Sequence, residues 1–143
     1  MAARRHRSLV HPGRVVGRLR LTVEVVEVYA RVRRTLSRGD VRTALRVLRD
    51  DPLERQTPRP AADADAGRLA RGTMRVLRHL PGDTRCLTQA LVLSALLARR
   101  GVPSHVVIAV RDPRHFGAHA WVEVEGRPLL VPSGPGDARL VEL

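Results

Sequence analysis

Lysine is absent from this chain, and all 26 of its basic side chains are arginines. Alanine, valine, glycine and proline are also abundant, a bias that looks like coding from a GC-rich genome, so a high isoelectric point carries little functional meaning alone. Aromatic residues are nearly as scarce: one Phe, one Tyr and one Trp. Single-stranded nucleic acid is bound largely on stacked aromatic rings, and three rings supply almost no such platform. A single cysteine, Cys86, excludes an internal disulfide and argues against a cross-linked secreted scaffold, so a cytoplasmic location is expected. The basic stretch Met1–Gly13 lacks the continuous apolar core of about 7–15 residues that a targeting peptide needs. Glu24 and Glu27 interrupt any candidate membrane span. Metal-ligand spacing is missing too. His115 and His119 would share a face only on a helix, and Gly117 with the alternating pattern around it argues against one, so no metal and no cofactor are expected.

Within those limits, 143 residues at 43% hydrophobic content suffice for one domain with an aliphatic core. The net charge of +12 is unevenly spread: residues 1–60 hold 15 arginines against 6 acids, residues 61–143 hold 11 against 8. Arginines neutralise phosphates, which makes nucleic-acid binding an alternative, but no zinc-finger spacing or recognition-helix signature accompanies them. A docking surface for an acidic peptide or protein fits the same excess.

Three regions follow from the pattern. Residues 1–13 read as a flexible basic arm, 14–60 as an N-terminal helical region and linker, and 61–143 as the core. From Arg14 to Leu36, Val15, Val16, Leu19, Val23, Val26, Tyr29, Ala30 and Leu36 fall at helical spacings, so this segment is expected to dock on the core or on a partner. Asp40 is a suitable N-cap for a short helix to Leu48, and Pro52, Pro58 and Pro60 mark a loop. A third helix is expected from Ala62 to Leu80, stopped by Pro81-Gly82.

The next segment carries chemistry. From Cys86 onward, Leu87, Ala90, Leu91, Ser94, Ala95, Leu97 and Ala98 recur as one face of an amphipathic helix, ended by Gly101 and Pro103. Cys86 then lies in the first turn, where free amides, the helix dipole and the neighbouring Arg85 favour a thiolate. Val106–Val110 and Ala118–Glu125 read as strands, Glu125-Gly126 as a tight turn, and Arg127–Val131 as the returning strand. Alternation puts His119, Trp121 and Glu123 on one face of the second strand. If that face packs on the start of the Cys86 helix, His119 can take the thiol proton, with Trp121 walling it from water. The plain alternative is a small buried cysteine and a structural histidine.

The motifs Pro81-Gly82-Asp83-Thr84-Arg85-Cys86-Leu87, Arg99-Arg100-Gly101-Val102-Pro103 and His119-Ala120-Trp121-Val122-Glu123-Val124-Glu125-Gly126-Arg127-Pro128 closely resemble the lasso-peptide biosynthesis B2 proteins. These are small transglutaminase-like cysteine peptidases. The resemblance spans residues 64 to 143. It implies an α+β fold built as a minimal transglutaminase- or papain-like core, and removal of a leader from a ribosomal precursor. It also implies a small leader-binding, PqqD-like partner and a separate ATP-dependent cyclase.

In that reading Cys86 is the nucleophile, His119 the base and acid, and the backbone N–H of Cys86 an oxyanion donor. Trp121 and Arg85 are the expected substrate contacts, and 112–117 borders the cleft. The family places a catalytic acid about a dozen residues after the histidine, where this chain has Leu129-Leu130-Val131-Pro132-Ser133. Asp137 is the first acid beyond and the candidate third residue; Glu123 is a weaker one, Glu125 belongs to the turn, and a dyad without an acid stays open. Thr88 and Gln89 fit a helix-packing edge as well as an oxyanion role. His105 and His79 read as structural. A transglutaminase-like acyltransferase or amidase and an inactive scaffold are the competing functions.

Overall fold

The most apolar of the described helices lies at the centre of the fold. The computed structural model describes residues 12–39, 41–43, 46, 63–82, 85–110, 118–129 and 138–142. Helices α1 (Pro12–Leu36) and α2 (Asp63–Leu77) precede α3 (Cys86–Ala98), and strands β1 (His105–Val110), β2 (Ala118–Val124), β3 (Arg127–Pro128) and β4 (Ala138–Glu142) follow. Ala90 to Leu97 are buried without a break. The one-faced amphipathic helix expected there is instead enclosed on all sides, because α1 and α2 pack on it from one direction and the sheet from the other.

Helix α1 contributes Val25, Val28, Tyr29 and Val32 to the same core as Leu91, Leu93, Leu96 and Leu97. Its acids then find partners: Arg100 Nη2 meets Glu24 Oε2 at 2.6 Å, and Arg99 Nη2 meets Glu27 Oε1 at 3.2 Å. Docking on the core is therefore observed. The helix begins at Pro12 rather than Arg14, with proline at a first-turn position where its missing N–H costs nothing. Against α2 the approach is close enough that a Cβ at Gly72 would come within 2.6 Å of Leu21 Cδ2.

Helix α2 ends at Leu77 and continues as a turn to Leu80, so the regular helix is shorter than expected. Residues 41–43 and 46 are helical, while the rest of the expected Asp40–Leu48 helix and the proline-marked loop lie outside the described residues. The end of α3 is a Schellman motif. Val102 N–H reaches the Leu97 carbonyl at 3.0 Å, Gly101 N–H the Ala98 carbonyl at 3.0 Å, and Gly101 takes φ 68°.

The sheet is antiparallel with order β3-β2-β1-β4. Glu125 and Gly126, at φ 51° and 74°, close the β2–β3 hairpin as the two-residue turn whose twist suits flanking strands. Arg127–Pro128 of the expected 127–131 strand pairs with β2, Leu129 N–H reaches the Val122 carbonyl at 2.8 Å, and residues 130–131 lie outside the described residues. Strand β4 was not expected. It pairs with β1, through Val110↔Ala138 and Ile108↔Val141, and a register shift between Ile108 and Ala109 interrupts the ladder.

The two faces of the sheet differ. Val106, Ala120, Val122 and Val124 join the core around α3, whereas Val107, Ala109 and Trp121 form a second apolar cluster. Alternation therefore turns the His119–Trp121–Glu123 face away from α3, and the expected face-on packing of that side against the Cys86 helix is not what forms. The physical reason is burial: the all-aliphatic face is the one that fits an all-aliphatic helix.

Candidate active site

Cys86 is the first residue of α3, and Arg85 is its N-cap with extended backbone at φ −60° and ψ 168°. Arginine offers no capping oxygen, and the Arg85 side chain makes no cap hydrogen bond. The first-turn amides of α3 therefore have no intrahelical acceptor, and no acid lies in that turn. The partial positive charge of the helix end falls at Cys86, and Arg85, its neighbour in sequence, is exposed. The chain reaches this point through a loop fixed to α1: Tyr29 Oη donates to the Pro81 carbonyl at 2.8 Å, and Gly82 takes φ 102° against Arg33 and Tyr29. Arg33 lies 5.8 Å from the Tyr29 ring centre.

The thiol meets the sheet at the start of β2. Cys86 Sγ donates to the Ala118 carbonyl at 3.9 Å, which places the sulfur beside the residue that precedes His119. His119 is half-buried, and its Nε2 is buried without a hydrogen-bond partner among the described residues. Sulfur and imidazole are thus brought to one strand end without being hydrogen-bonded to each other. In unliganded sites such bonds are often long and tighten when substrate binds.

Behind the imidazole, the Trp121 ring stacks on His119 with centroids 5.9 Å apart and planes 26° from parallel. Trp121 is 3% exposed, and its indole N–H donates to Glu123 Oε1 at 2.8 Å. Glu123, the weaker of the expected acids, is itself buried. Across the ladder, His119 stands opposite Ala109, whose small side chain leaves room for the ring. Neither the Ala118 carbonyl nor the Glu123–indole bond emerges from reading the sequence. Only the same-face placement of residues 121 and 123 hinted at the latter.

The remaining candidates fall elsewhere. Asp137, His115 and 112–117 lie outside the described residues. Thr88 is buried and Gln89 half-buried on α3. His105 is exposed at the start of β1, opposite Glu123 in register. His79, exposed beyond α2, accepts from Arg78 Nε at 3.2 Å. Glu125 is exposed in the hairpin turn. Among the described residues, no group of three or more His, Cys, Asp and Glu side chains could hold a metal ion. No described helix is long and apolar enough to cross a membrane.

A cysteine at the start of a buried helix, followed by a histidine on the neighbouring antiparallel strand, agrees with the family comparison. The model of the transglutaminase-like superfamily matches residues 25–139. The chain belongs to the transglutaminase-like superfamily. Comparison with curated proteins and with solved structures gives no match. The transglutaminase-like match begins inside α1, in keeping with the packing of that helix on α3. Membership points to cysteine-based catalysis in general, of the peptidase or acyltransferase kind.

Proposed function

We propose that this transglutaminase-like protein is a cysteine peptidase that removes the leader from a ribosomal lasso-peptide precursor. The observation that carries the reading is the Cys86 thiol at a helix start, against the carbonyl of the residue preceding His119. In the proposed cycle His119 takes the thiol proton and Cys86 sulfur forms a bond to the scissile carbonyl carbon. The carbonyl oxygen gains the charge, facing the Cys86 amide. The C–N bond breaks as His119 returns the proton to the leaving amine. Water then adds to the thioester, gives a proton to His119, and the C–S bond breaks to restore the cysteine.

Asp137 is the proposed orienting acid. It adjoins Ala138 in sequence, and Ala138 pairs with Val110, which pairs in turn with Ala118. Arg85, exposed and adjacent to Cys86 in sequence, is proposed to meet the substrate. A PqqD-like partner presenting the leader would dock on α1 and α2. A groove of about 400 Å3 opens there, lined by Arg18, Leu21, Val26, Arg75, Val76 and Leu80 among others, with exposed Val16, Leu19 and Val23 nearby along α1.

The test is mass spectrometry of a cognate precursor incubated with its leader-binding partner and either this protein or Cys86→Ala. Cleavage at one junction that needs Cys86 is expected. Transfer of the acyl group to an amine would instead identify an acyltransferase, a reading equally open to the superfamily. Intact precursor with the complex assembled would identify a scaffold, a reading favoured by the lack of a partner for His119 Nε2 among the described residues.

A further inference from the structure

Glu123 is a carboxylate at 6% exposure on β2, with His105 of β1 opposite it in register. Burying an acid there costs free energy that its packing alone does not return, so the question is what it holds. Its Oε1 accepts the only indole N–H of the chain, at 2.8 Å, and that indole lies against the His119 ring. An unbonded Trp121 could rotate about its side-chain torsions, and the imidazole would lose the surface it stacks on. With the N–H fixed, the indole plane is fixed, and with it the wall that limits how His119 can tilt. Residues 119, 121 and 123 are successive same-face positions of β2, so the strand itself sets their spacing.

We infer that Glu123 is a positioning residue, which limits the tilt of the His119 imidazole by fixing the Trp121 indole. This inference rests on the proposed role of His119 as the base for Cys86. It assigns the buried carboxylate to a hydrogen bond with tryptophan rather than to the third place of a triad. What the indole needs at this position is an acceptor oxygen. Glutamine keeps that oxygen and leucine does not.

The chain has one cysteine and one tryptophan, so two clean probes exist. Iodoacetamide alkylation followed by intact mass reads the reactivity of Cys86, and tryptophan emission reads the surroundings of Trp121. The full chain and its His119→Ala, Glu123→Gln, Glu123→Leu and Trp121→Phe variants would be compared at one pH, each checked by thermal melting.

Glu123→Leu is expected to slow alkylation about tenfold, as the loss of an acceptor to a buried donor allows, and to shift the emission. Glu123→Gln should restore both to near the parent values. Trp121→Phe keeps a ring on His119 but removes the donor, so it should slow alkylation as Glu123→Leu does. Adding Glu123→Leu to it should slow alkylation no further. If Glu123→Leu melts early, the comparison of Trp121→Phe with the parent decides alone. Parent-like alkylation in both Glu123→Leu and Trp121→Phe, with His119→Ala slow, would overturn the inference and leave the peptidase reading intact. Glutamine as slow as leucine would overturn it as well. Parent-like alkylation in His119→Ala would instead overturn the underlying role of His119.

Discussion

Tyr29 Oη donates to the carbonyl of Pro81 at 2.8 Å, a bond between residues 52 apart that fastens the approach to the Cys86 helix onto the first helix of the fold. Because Pro81 is exposed, its carbonyl turns to water if the bond is lost. Tyr29→Phe is therefore expected to destabilise the fold by only about 1 kcal/mol in urea unfolding. Its larger consequence would fall on Cys86, five residues beyond Pro81, and a disproportionate drop in alkylation rate would show that the loop sets the thiol's position.

That bond explains why the sequence was only partly legible. Helices α1 and α3, the β2–β3 turn and the α+β class follow from local periodicity, from Gly101 and from Glu125-Gly126, signals that act within a few residues. Strand β4 has no such signal: Ala138–Glu142 is short, and its partner β1 lies some thirty residues back in the chain. The face chosen by the sheet was misread for a related reason. Alternation says which residues share a side, but the choice between the Ala120–Val122–Val124 side and the His119–Trp121–Glu123 side is made by the aliphatic surface of α3. Cys86 and His119 were legible as residues because their motifs are local. Their link through the Ala118 carbonyl was not, since a backbone acceptor carries no side-chain signature.

Burial separates two classes of aliphatic residue with similar sequence signals. Leu93 in α3 is fully buried, whereas Leu19 in α1 is 65% exposed. Leu93→Ala should cost about 2–5 kcal/mol through lost transfer energy and the cavity left behind. Leu19→Ala should change stability by less than about 0.5 kcal/mol. Paired urea titrations at constant m-value would check the contrast, and equal effects would contradict the packing of α3 at the centre.

The hairpin turn gives a test of backbone energetics free of packing. A Cβ at Gly126 would meet nothing within 4 Å, but the residue has φ 74°. Gly126→Ala should therefore cost about 1 kcal/mol from the left-handed backbone alone. At Gly82, φ 102° is combined with a Cβ position 2.5 Å from Arg33 Nη1. Gly82→Ala should cost more than Gly126→Ala in the same unfolding assay and should also alter Cys86 alkylation, because only Gly82 lies on the path to the thiol.

The groove between α1 and α2 yields the prediction that separates docking from chemistry. Arg31 lies 3.9 Å from Glu27, and Arg33 covers Tyr29, so reversing their charges would disturb the fold as well as any partner. Arg18 and Arg75 are exposed and line the groove, which makes them the cleaner pair. An acidic partner steered by these charges would meet Arg18→Glu/Arg75→Glu with a slower association and a weaker salt dependence of the residual binding. Turnover of partner-presented precursor should then show KM raised about tenfold with kcat unchanged, because the lost contact is made equally in ground and transition states. Iodoacetamide alkylation of Cys86 should stay at the parent rate, since no lining residue of the groove belongs to the Cys86–His119 site. A fall in kcat with unaltered KM would place the effect of these arginines in the chemistry and would remove the groove as the docking surface.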